Sequence, residues 1–529
     1  MIFTLHRYMF RELLRIFILA TIGLTLILSL GMILQPVQKF GVGPQQAVKM
    51  LFIFMPVTLT FVLPMAALFA SALAYGRFAS DNEIDACRAS GIGAMTLIYP
   101  GLALAVLVAI GNLMLSFHVM PYFVHMAEKS LKADAKQILF RNIQRRGYYS
   151  FPGTGYQIYA DYADMKNDAL YGIVVVQSPK RKGIRKIITS DMTETHMRFD
   201  PQQKVNEVQL IVHNCRQMDS GEQAWEGRVD RLPVTMEFGT LLGDSIKFKK
   251  IDEMKQIRAD LMQFDPIARR AWDVYTQYVT ELLAKDVNEV VTAGKSFELR
   301  GAAGSVWFTG ARCEMRDRAV ITLVPPITAE EYGVSGQRRR LECTKAEIQV
   351  QQGAVNPKLV LYLDNPRIQE TGQLLVQYAI GDLVLPERVA RSLGGAPLLE
   401  QATADLASKL HRSPSPILVE SQAGLFDEIA DTLKDIKAEM NSRLVFGIGC
   451  VPMILIGIGL GVLQKGGHLL SAFGSSCVPA AVLIISIVSG KQLTTNAGAS
   501  SVNGIMIMWG GLAFLVLLAA VIYRKLQRG

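Results

Sequence analysis

The chain has 529 residues, of which 50% are hydrophobic and 19% charged, and a formal net charge of +9. Residues 118–443 hold 43 Lys/Arg against 42 Asp/Glu, whereas the apolar ends hold 12 against 4. This composition excludes a disordered or collagen-like chain, and basic ends around a neutral middle are the opposite of a nucleic-acid-binding domain.

Three apolar runs lie near the N-terminus: Ile16–Leu34, Met50–Tyr75 and Ile92–Val119. Each is long enough to cross a hydrocarbon core of about 30 Å. Arg7, Arg11 and Arg15 precede the first run, as basic residues precede a signal peptide. However, that run is longer than a typical signal-peptide core and lacks an Ala-x-Ala-like exit, so we interpret it as a retained first span.

The loop between the second and third runs reads GRFASDNEIDACRASGIG. Ser80 or Asp81 can cap a helix, and Glu83 then lies in its first turn, where the helix dipole favours a carboxylate. Gly91 can supply the left-handed residue that ends it. The sequence therefore predicts one short, isolated helix at about 80–91.

Two interpretations of this helix stay open. Ile84 and Cys87 share one face, while Asp81 and Glu83 make its start acidic and Arg88 lies near its end. It could be an ordinary solvated loop helix. The alternative is a coupling helix that docks in a groove of a separate protein, with Glu83 paired to a basic residue there.

Residues 118–443 form a hydrophilic middle with many short β-type runs. Several short strands with turn residues between them indicate a sandwich, a jelly roll or an open barrel. The clearest runs are Tyr171–Gln177, Val208–His213, Val306–Thr309, Ala319–Leu323, Leu359–Leu363 and Leu374–Ala379.

Two helical stretches interrupt this β pattern. Residues 251–295 read as a helical insert, in which Asp265 and Pro266 are a plausible N-cap and first helical residue. Residues 422–443 carry apolar residues at helical spacing and predict a connector helix that leads into the fourth span.

Three further apolar runs follow: Leu444–Gln464, Leu469–Gly490 and Gly504–Tyr523. With the N-terminus in the cytoplasm, nine basic residues flank the spans on the inside and three, Lys39, Lys49 and Lys491, on the outside. The positive-inside rule then places both termini in the cytoplasm and residues 118–443 outside. We expect six transmembrane helices in a 3+3 arrangement, 1–117 and 444–529, around a β-rich outer domain.

Sequence motifs for catalysis or metal binding are absent. The chain contains no P-loop, no HExxH and no GxSxG, and its six cysteines and seven histidines show no ligand spacing. Charged residues are also absent inside the apolar runs, which argues against a proton- or sodium-coupled transporter. We therefore expect no catalytic residue, metal or cofactor.

The segment NEIDACRASGIG resembles the short cytoplasmic helix of the LptF/LptG (YjgP/YjgQ) family of lipopolysaccharide export permeases. The matching positions are Glu83, Ile84, Ala86, Arg88, Ala89 and Gly91. Residues 438–463 resemble the start of the family's fourth span. That match is carried by Glu439, Arg443, Pro452, Gly459 and Gly461. The opening YMFRELLRIFILA is similar to the start of the family's first helix.

The resemblance implies a permease subunit that pairs with a second half, as a homodimer or heterodimer, around a cavity facing the outer leaflet. A cytoplasmic ABC ATPase, LptB-like, would dock on the coupling helices and drive a glycolipid into a periplasmic bridge of LptC/LptA-like proteins. ATP hydrolysis is then expected on that separate subunit. The resemblance also implies that residues 118–443 are a jelly-roll-like periplasmic domain. This region is longer than the family's single jelly roll, so lipopolysaccharide and a related glycolipid both remain candidate substrates. Lys39 either meets an anionic head group or simply anchors the first span at the interface.

Two other functions stay open beside glycolipid export. The chain could be an ATPase-linked membrane protein that acts on a periplasmic protein partner, in which case the outer domain binds protein and not lipid. It could also be a membrane-anchored periplasmic scaffold, in which case Glu83 is dispensable.

Overall fold

The computed structural model divides into two compact units, Met1–Lys255 with Leu433–Gly529, and Gln256–Thr432. The domain limits predicted from the sequence stay a prediction. The residues that the structure describes are 2–40, 44–133, 135–151, 156–177, 186–200, 205–219, 225–238, 245–301, 304–333, 338–351, 357–369, 372, 374–375, 377–410, 413–463, 469–496 and 501–528.

Six helices of the described chain are long and apolar enough to cross a membrane, which confirms the six apolar runs predicted from the sequence. Large apolar side chains such as Leu19, Ile110 and Leu517 are exposed on them, as befits helices whose solvent is lipid. The six candidate spans are Phe3–Gly31, Val48–Ser80, Met95–Met126, Pro416–Leu463, Cys477–Thr495 and Ser501–Gln527.

The first unit opens with a block of packed helices. Ala66, Ala70 and Ala74 recur every four residues along its second helix and are completely buried. Small residues at this spacing let helices approach closely in lipid. Leu13 and Leu104 of neighbouring helices belong to the same buried cluster. The elements in order are α1 (Ile2–Phe40), α2 (Pro44–Ser80), α3 (Glu83–Ala89), α4 (Ala94–Met114), a π-helical turn (Leu115–Val119), α5 (Met120–Ala133) and α6 (Ala135–Arg146).

A six-stranded antiparallel sheet follows α6. Its strands are β1 (Tyr148–Ser150), β2 (Tyr156–Asp164), β3 (Ala169–Gln177), β4 (Lys186–Asp200), β5 (Val205–Asp219) and β6 (Trp225–Phe238). Each strand pairs with its neighbour in sequence. The described strands are therefore a meander, and the jelly-roll connectivity predicted from the sequence, which needs strands that cross over, is wrong for this sheet.

Among the described side chains of β1 to β3, those on one face of the first sheet are buried, and those on the other, which we call the open face, are exposed or half-buried. Ile173 and Val175 of β3 are buried in a cluster with Leu139 and Phe140 of α6. Val174, between them, faces the other way and is only half-buried. Alternation of this kind is the period of a strand that packs on one side only.

The second unit is built from a ten-stranded antiparallel sheet and a long central helix. The helices from here to the next span are α7 (Ile251–Ala259), α8 (Asp265–Thr292), α9 (Glu387–Leu393), α10 (Leu398–Thr403) and α11 (Leu406–Leu410). The strands are β7 (Phe297–Gly301), β8 (Gly304–Thr309), β9 (Arg312–Asp317), β10 (Val320–Val324), β11 (Ile327–Gly333), β12 (Arg338–Cys343), β13 (Lys345–Gln351), β14 (Lys358–Asp364), β15 (Arg367–Ile368) and β16 (Gln377–Val384).

The ten strands lie in the order β15-β12-β11-β8-β7-β16-β14-β13-β10-β9. Val279, Leu283 and Val287 recur every four residues along α8 and are fully buried in the core that the strands share. Asp265 is predicted to cap α8, but the N-cap is Phe264, because Phe264 is the last residue with extended backbone, at φ −102° and ψ 111°. Pro266 lies in the first turn of α8, where its missing N–H costs nothing.

Three long helices complete the chain: α12 (Pro416–Leu463), α13 (Leu469–Thr495) and α14 (Ser501–Arg528). The connector helix predicted at about 422–443 and the fourth apolar run both lie in α12, which has 48 residues and contains Pro452. Residues from Leu433 onwards belong to the first unit.

Candidate functional site

The predicted short helix exists as α3, but it begins later than predicted. Ser80 is the last residue of α2, and the N–H of Asp81 donates to the carbonyl of Arg77 at 2.8 Å, which extends the hydrogen bonding of α2. The N-cap is Asn82, at a left-handed φ of 58°, and its side chain makes no capping hydrogen bond. The expectation that Ser80 or Asp81 caps this helix is therefore wrong.

The C-terminal end of α3 follows the prediction. Gly91 has a φ of 81°, the left-handed conformation that favours glycine. Its N–H donates to the carbonyl of Arg88 at 3.0 Å, and the N–H of Ile92 donates to the carbonyl of Cys87 at 3.0 Å. These two bonds form a Schellman motif, which satisfies the last carbonyls of the helix.

One face of α3 is anchored in the helical block. Ile84 is 7% exposed and lies in the same buried cluster as Met9 of α1 and Leu97 of α4. Cys87 and Ile92 pack against this cluster as well. Full burial of an isoleucine contributes about 1.5–3 kcal/mol. The helix is therefore held against α1, α2 and α4 on one side, while Asp85, Ala86, Arg88 and Ala89 are exposed on the others.

A polar cluster joins α3 to the start of α1 and the end of α2. The Tyr8 hydroxyl donates to Oε1 of Glu83 at 3.2 Å. Nη1 of Arg77 donates to Oε1 of Glu12 at 2.7 Å, and Nε of Arg77 lies 3.8 Å from Oδ2 of Asp81. The cluster is solvent-exposed, so each ion pair contributes little to stability. Its main effect is to orient the acidic end of α3.

Two predicted residues remain, Arg88 and Lys39. Arg88 and Asp85 are exposed on α3. Lys39 lies near the end of α1, and its side chain is outside the described residues. The structure therefore brings Asp81 and Glu83 together through Arg77 and Tyr8, and it keeps Ile84 and Cys87 on the inward face.

Sequence reasoning missed Tyr8, Glu12 and Arg77. The only local signal is the spacing of Arg77 and Asp81, four residues apart on a helix. Tyr8 and Glu12 are 75 and 65 residues away from their partners, and no local pattern reports such contacts.

The second motif lies on α12, within the first unit. A Cβ added at Gly461 would meet the carbonyl oxygen of Ala72 on α2 at 2.5 Å, and one at Gly459 would meet Ile522 of α14 at 2.3 Å. Both glycines therefore allow helices to approach closely. Glu439 and Arg443 form a buried ion pair of 2.9 Å.

Within the described part of the chain, no group of three or more His, Cys, Asp or Glu side chains could hold a metal ion. The candidate site that the structure describes is therefore one short helix with an acidic start and an apolar anchor.

Comparison with known proteins gives one family. No curated protein matches the chain. Residues 7–267 match the family model described as lipopolysaccharide export system permease LptF/LptG. The match begins in α1 and includes α2 to α7 and all six strands of the first sheet. Together with the six described helices that are long and apolar enough to cross a membrane, it makes the protein a multi-pass inner-membrane component of a transport system and not an enzyme. The chain belongs to the LptF/LptG family of lipopolysaccharide export permeases.

Proposed function

We propose that the chain is the permease subunit of an ATP-driven exporter, which extracts lipopolysaccharide or a related glycolipid from the inner membrane and passes it to a periplasmic bridge. The observation that carries this proposal is the anchoring of α3. Its Ile84 side is buried among α1, α2 and α4, while Asp81, Asp85 and Arg88 are exposed. A rod held in this way transmits movement of a docked partner to the membrane helices.

We propose that the partner is a cytoplasmic ABC ATPase, LptB-like, with Glu83 paired to a basic residue in its groove. The chain carries no P-loop of its own, which is consistent with ATP hydrolysis on a separate subunit. A second permease half would complete the lipid cavity. The positive-inside distribution of Lys and Arg supports cytoplasmic termini and a 3+3 arrangement of spans around periplasmic β-sheets.

We further propose that lipid passes over the open face of the first sheet. Four tyrosines of β1, β2 and β3 are exposed there: Tyr148, Tyr159, Tyr162 and Tyr171. The rings pair across strands, Tyr148 with Tyr159 at 5.6 Å and Tyr162 with Tyr171 at 6.1 Å between centroids. A tyrosine has an apolar body and a polar tip, which suits a ligand with acyl chains and sugars.

The test is reconstitution of the full chain with its ATPase and second half in proteoliposomes that contain labelled lipopolysaccharide. We expect ATP-dependent transfer of lipid to added periplasmic bridge protein, and none with a non-hydrolysable ATP analogue. If ATP turnover proceeds while labelled lipid stays in the vesicles and a periplasmic protein is altered instead, the ATPase-linked alternative is correct. If no ATPase associates with the chain, the result favours a membrane-anchored periplasmic scaffold.

A further inference from the structure

Arg443 of α12 is a buried cation whose donors reach several elements of the first unit. Its side chain is only 4% exposed. Nε donates to Oε1 of Glu439, one turn earlier, at 2.9 Å. Nη1 donates to the carbonyl oxygens of Ser116 at 3.0 Å and Lys249 at 3.1 Å, and Nη2 donates to that of Lys247 at 2.8 Å. One guanidinium group therefore donates hydrogen bonds to four acceptor oxygens.

The third span is shaped to receive this guanidinium. Ser116 lies in the π-helical turn that separates α4 from α5. Such a turn departs from the regular α-helical bonding pattern, and π-helical turns occur frequently at functional sites. Phe117, in the same turn, places its ring centroid 5.7 Å from Cζ of Arg443, within the range of a cation–π interaction.

The other two carbonyls belong to a segment that we call the strap, residues 245–250. It contains a short 3₁₀ turn, Ile246–Phe248, which Ser245 caps by accepting a hydrogen bond from the Lys247 N–H at 3.4 Å. Ile246 is buried, and the N–H of Lys250 donates to Glu253 at 3.0 Å at the start of α7. The strap follows β6 in the chain, and residues 256–432 are inserted in sequence between the strap and Arg443.

Glu439 extends the contact to α13. Its Oε1 accepts from Arg443 and its Oε2 accepts a short hydrogen bond from Nζ of Lys491. The Glu439 side chain is 7% exposed. A buried ion pair adds little net stability compared with well-packed apolar residues, whereas its directional bonds fix one arrangement of the groups that it joins. This cluster therefore contributes geometry more than stability.

We propose that Arg443 is a positioning residue that makes the strap, and through it the first sheet, follow the movement of α12 when the transporter turns over ATP. This inference rests on the proposed function, because it needs an ATP-driven movement of the membrane helices. Arginine is required because its planar group offers five N–H donors in a fixed fork. A lysine in its place keeps the charge but cannot hold the carbonyls of Ser116, Lys247 and Lys249 together.

The first experiment measures how firmly Arg443 holds the strap, without ATP or lipid. Hydrogen exchange of residues 245–250 is followed in the full-length protein in nanodiscs, for wild type, Arg443→Lys and the control Asn441→Ala. Asn441 accepts a hydrogen bond from Nε1 of Trp509 at 3.1 Å and thus joins α12 to α14 away from the strap. We expect exchange to rise about tenfold in Arg443→Lys, because local opening sets the exchange rate, and to stay unchanged in Asn441→Ala.

The second experiment measures coupling in the complete transporter. In Arg443→Lys we expect the amount of lipid exported per ATP hydrolysed to fall about tenfold, since the ATPase contact on α3 is intact while force transfer to the sheet is lost. Asn441→Ala should leave this ratio unchanged. Equal losses of ATP hydrolysis and export in Arg443→Lys would indicate general damage and overturn the proposal, as would an unchanged ratio despite faster exchange of the strap.

Two further outcomes keep the inference separate from the proposed function. If wild type hydrolyses ATP but exports no lipid, the proposed function fails, and hydrogen exchange alone decides whether Arg443 holds the strap. If Arg443→Lys does not give a monodisperse protein, Arg443→Gln replaces it. That variant leaves Glu439 paired with Lys491 and offers only two N–H donors on a shorter side chain, so unchanged exchange of the strap there would contradict the proposal.

Discussion

Glu83 has two potential partners: the Tyr8 hydroxyl of its own chain and a basic side chain of the ATPase that we propose docks on α3. We expect Glu83→Ala to weaken ATPase binding by about 2–5 kcal/mol, at least about 30-fold in Kd, because it strands the opposite charge at the interface. Lipid export should be lost, while circular dichroism of the variant stays that of wild type. Co-purification with the ATPase and export from proteoliposomes measure both effects.

Two matched controls separate the possible roles of Glu83. Asp85→Ala removes an exposed carboxylate two residues away and should leave ATPase binding within about twofold, as surface charges contribute little. Tyr8→Phe removes the internal hydrogen bond and keeps the carboxylate. If Tyr8→Phe weakens ATPase binding as much as Glu83→Ala does, the carboxylate acts by orienting α1 and not by contacting the ATPase.

The reactivity of the Cys343 thiol tests whether this side chain is buried in the second unit. Burial raises the pKa of its thiol to about 12, and the nearby carboxylate of Asp364 adds to this shift. At pH 8 only about one thiol in 10⁴ is then ionised, and the thiolate is the reactive form. We expect iodoacetamide to leave Cys343 unmodified in the folded protein and to label it in urea.

Mass spectrometry of the peptide that contains Cys343 reads out this reaction. The labelling rate of the folded protein should rise about tenfold per pH unit up to pH 11, whereas that of the unfolded protein levels off above about pH 9. A folded-state rate at pH 8 equal to the rate in urea would show that Cys343 is not buried.

Among individual residues, the sequence predicted those of α3 whose roles depend only on residues nearby in the chain. Ile84 and Gly91 were predictable because helical spacing and a glycine stop act within a few residues. The wrong cap arose because Asp81 continues the hydrogen bonding of α2, which depends on where the preceding helix ends. Three of the four acceptors of Arg443 are backbone carbonyls from separate parts of the chain, so these three could not be predicted from the motif around it.

Among the elements, β3 and β5 offer a paired test of the proposed lipid path. Val174 lies beside Tyr159 on the open face, whereas Val212 is fully buried in the core that contains α6. A photo-crosslinking amino acid at position 174 should trap labelled lipopolysaccharide during ATP turnover. The same residue at position 212 should trap none, because packed side chains surround it. Adducts are identified by mass spectrometry.

If position 174 yields only protein adducts during ATP turnover, the open face binds a protein partner. That result favours an ATPase-linked membrane protein that acts on a periplasmic protein over a lipid exporter. Equal lipid labelling at positions 174 and 212 would show that the core containing α6 opens. Both results would contradict a lipid path confined to the tyrosine-bearing face.

Helices and strands were predicted where a local pattern of apolar residues dominates the segment. Features that depend on contacts between distant segments, such as strand order, were not predicted. The strand β3 was predicted because apolar residues run unbroken between turn signals. The π-helical turn within the third span was not, since nothing in the run Ile92–Val119 distinguishes it from a regular helix. Strand order is set by contacts between distant segments: β16 pairs with β14 and β7, and β7 pairs with β8.

For the whole molecule, the six apolar runs left few alternatives to membrane-spanning helices. Runs of about 20 uncharged residues are stable as helices in lipid and rarely occur in a soluble core. They do not determine which side of the membrane each loop faces. That depends on the flanking Lys and Arg, and it decides whether α3 can meet an ATPase at all.

We therefore expect both termini and α3 in the cytoplasm and the second unit in the periplasm. Single cysteines are placed at exposed positions in a background whose native cysteines are replaced by alanine: Glu387→Cys in the second unit, Ala89→Cys in α3 and Gln527→Cys at the end of α14. In intact cells with a permeable outer membrane, a membrane-impermeant maleimide should label only Glu387→Cys. After lysis it should label all three, which shows that each thiol is reactive. Labelling of Ala89→Cys in sealed cells would place α3 outside, and the coupling to a cytoplasmic ATPase would then be impossible.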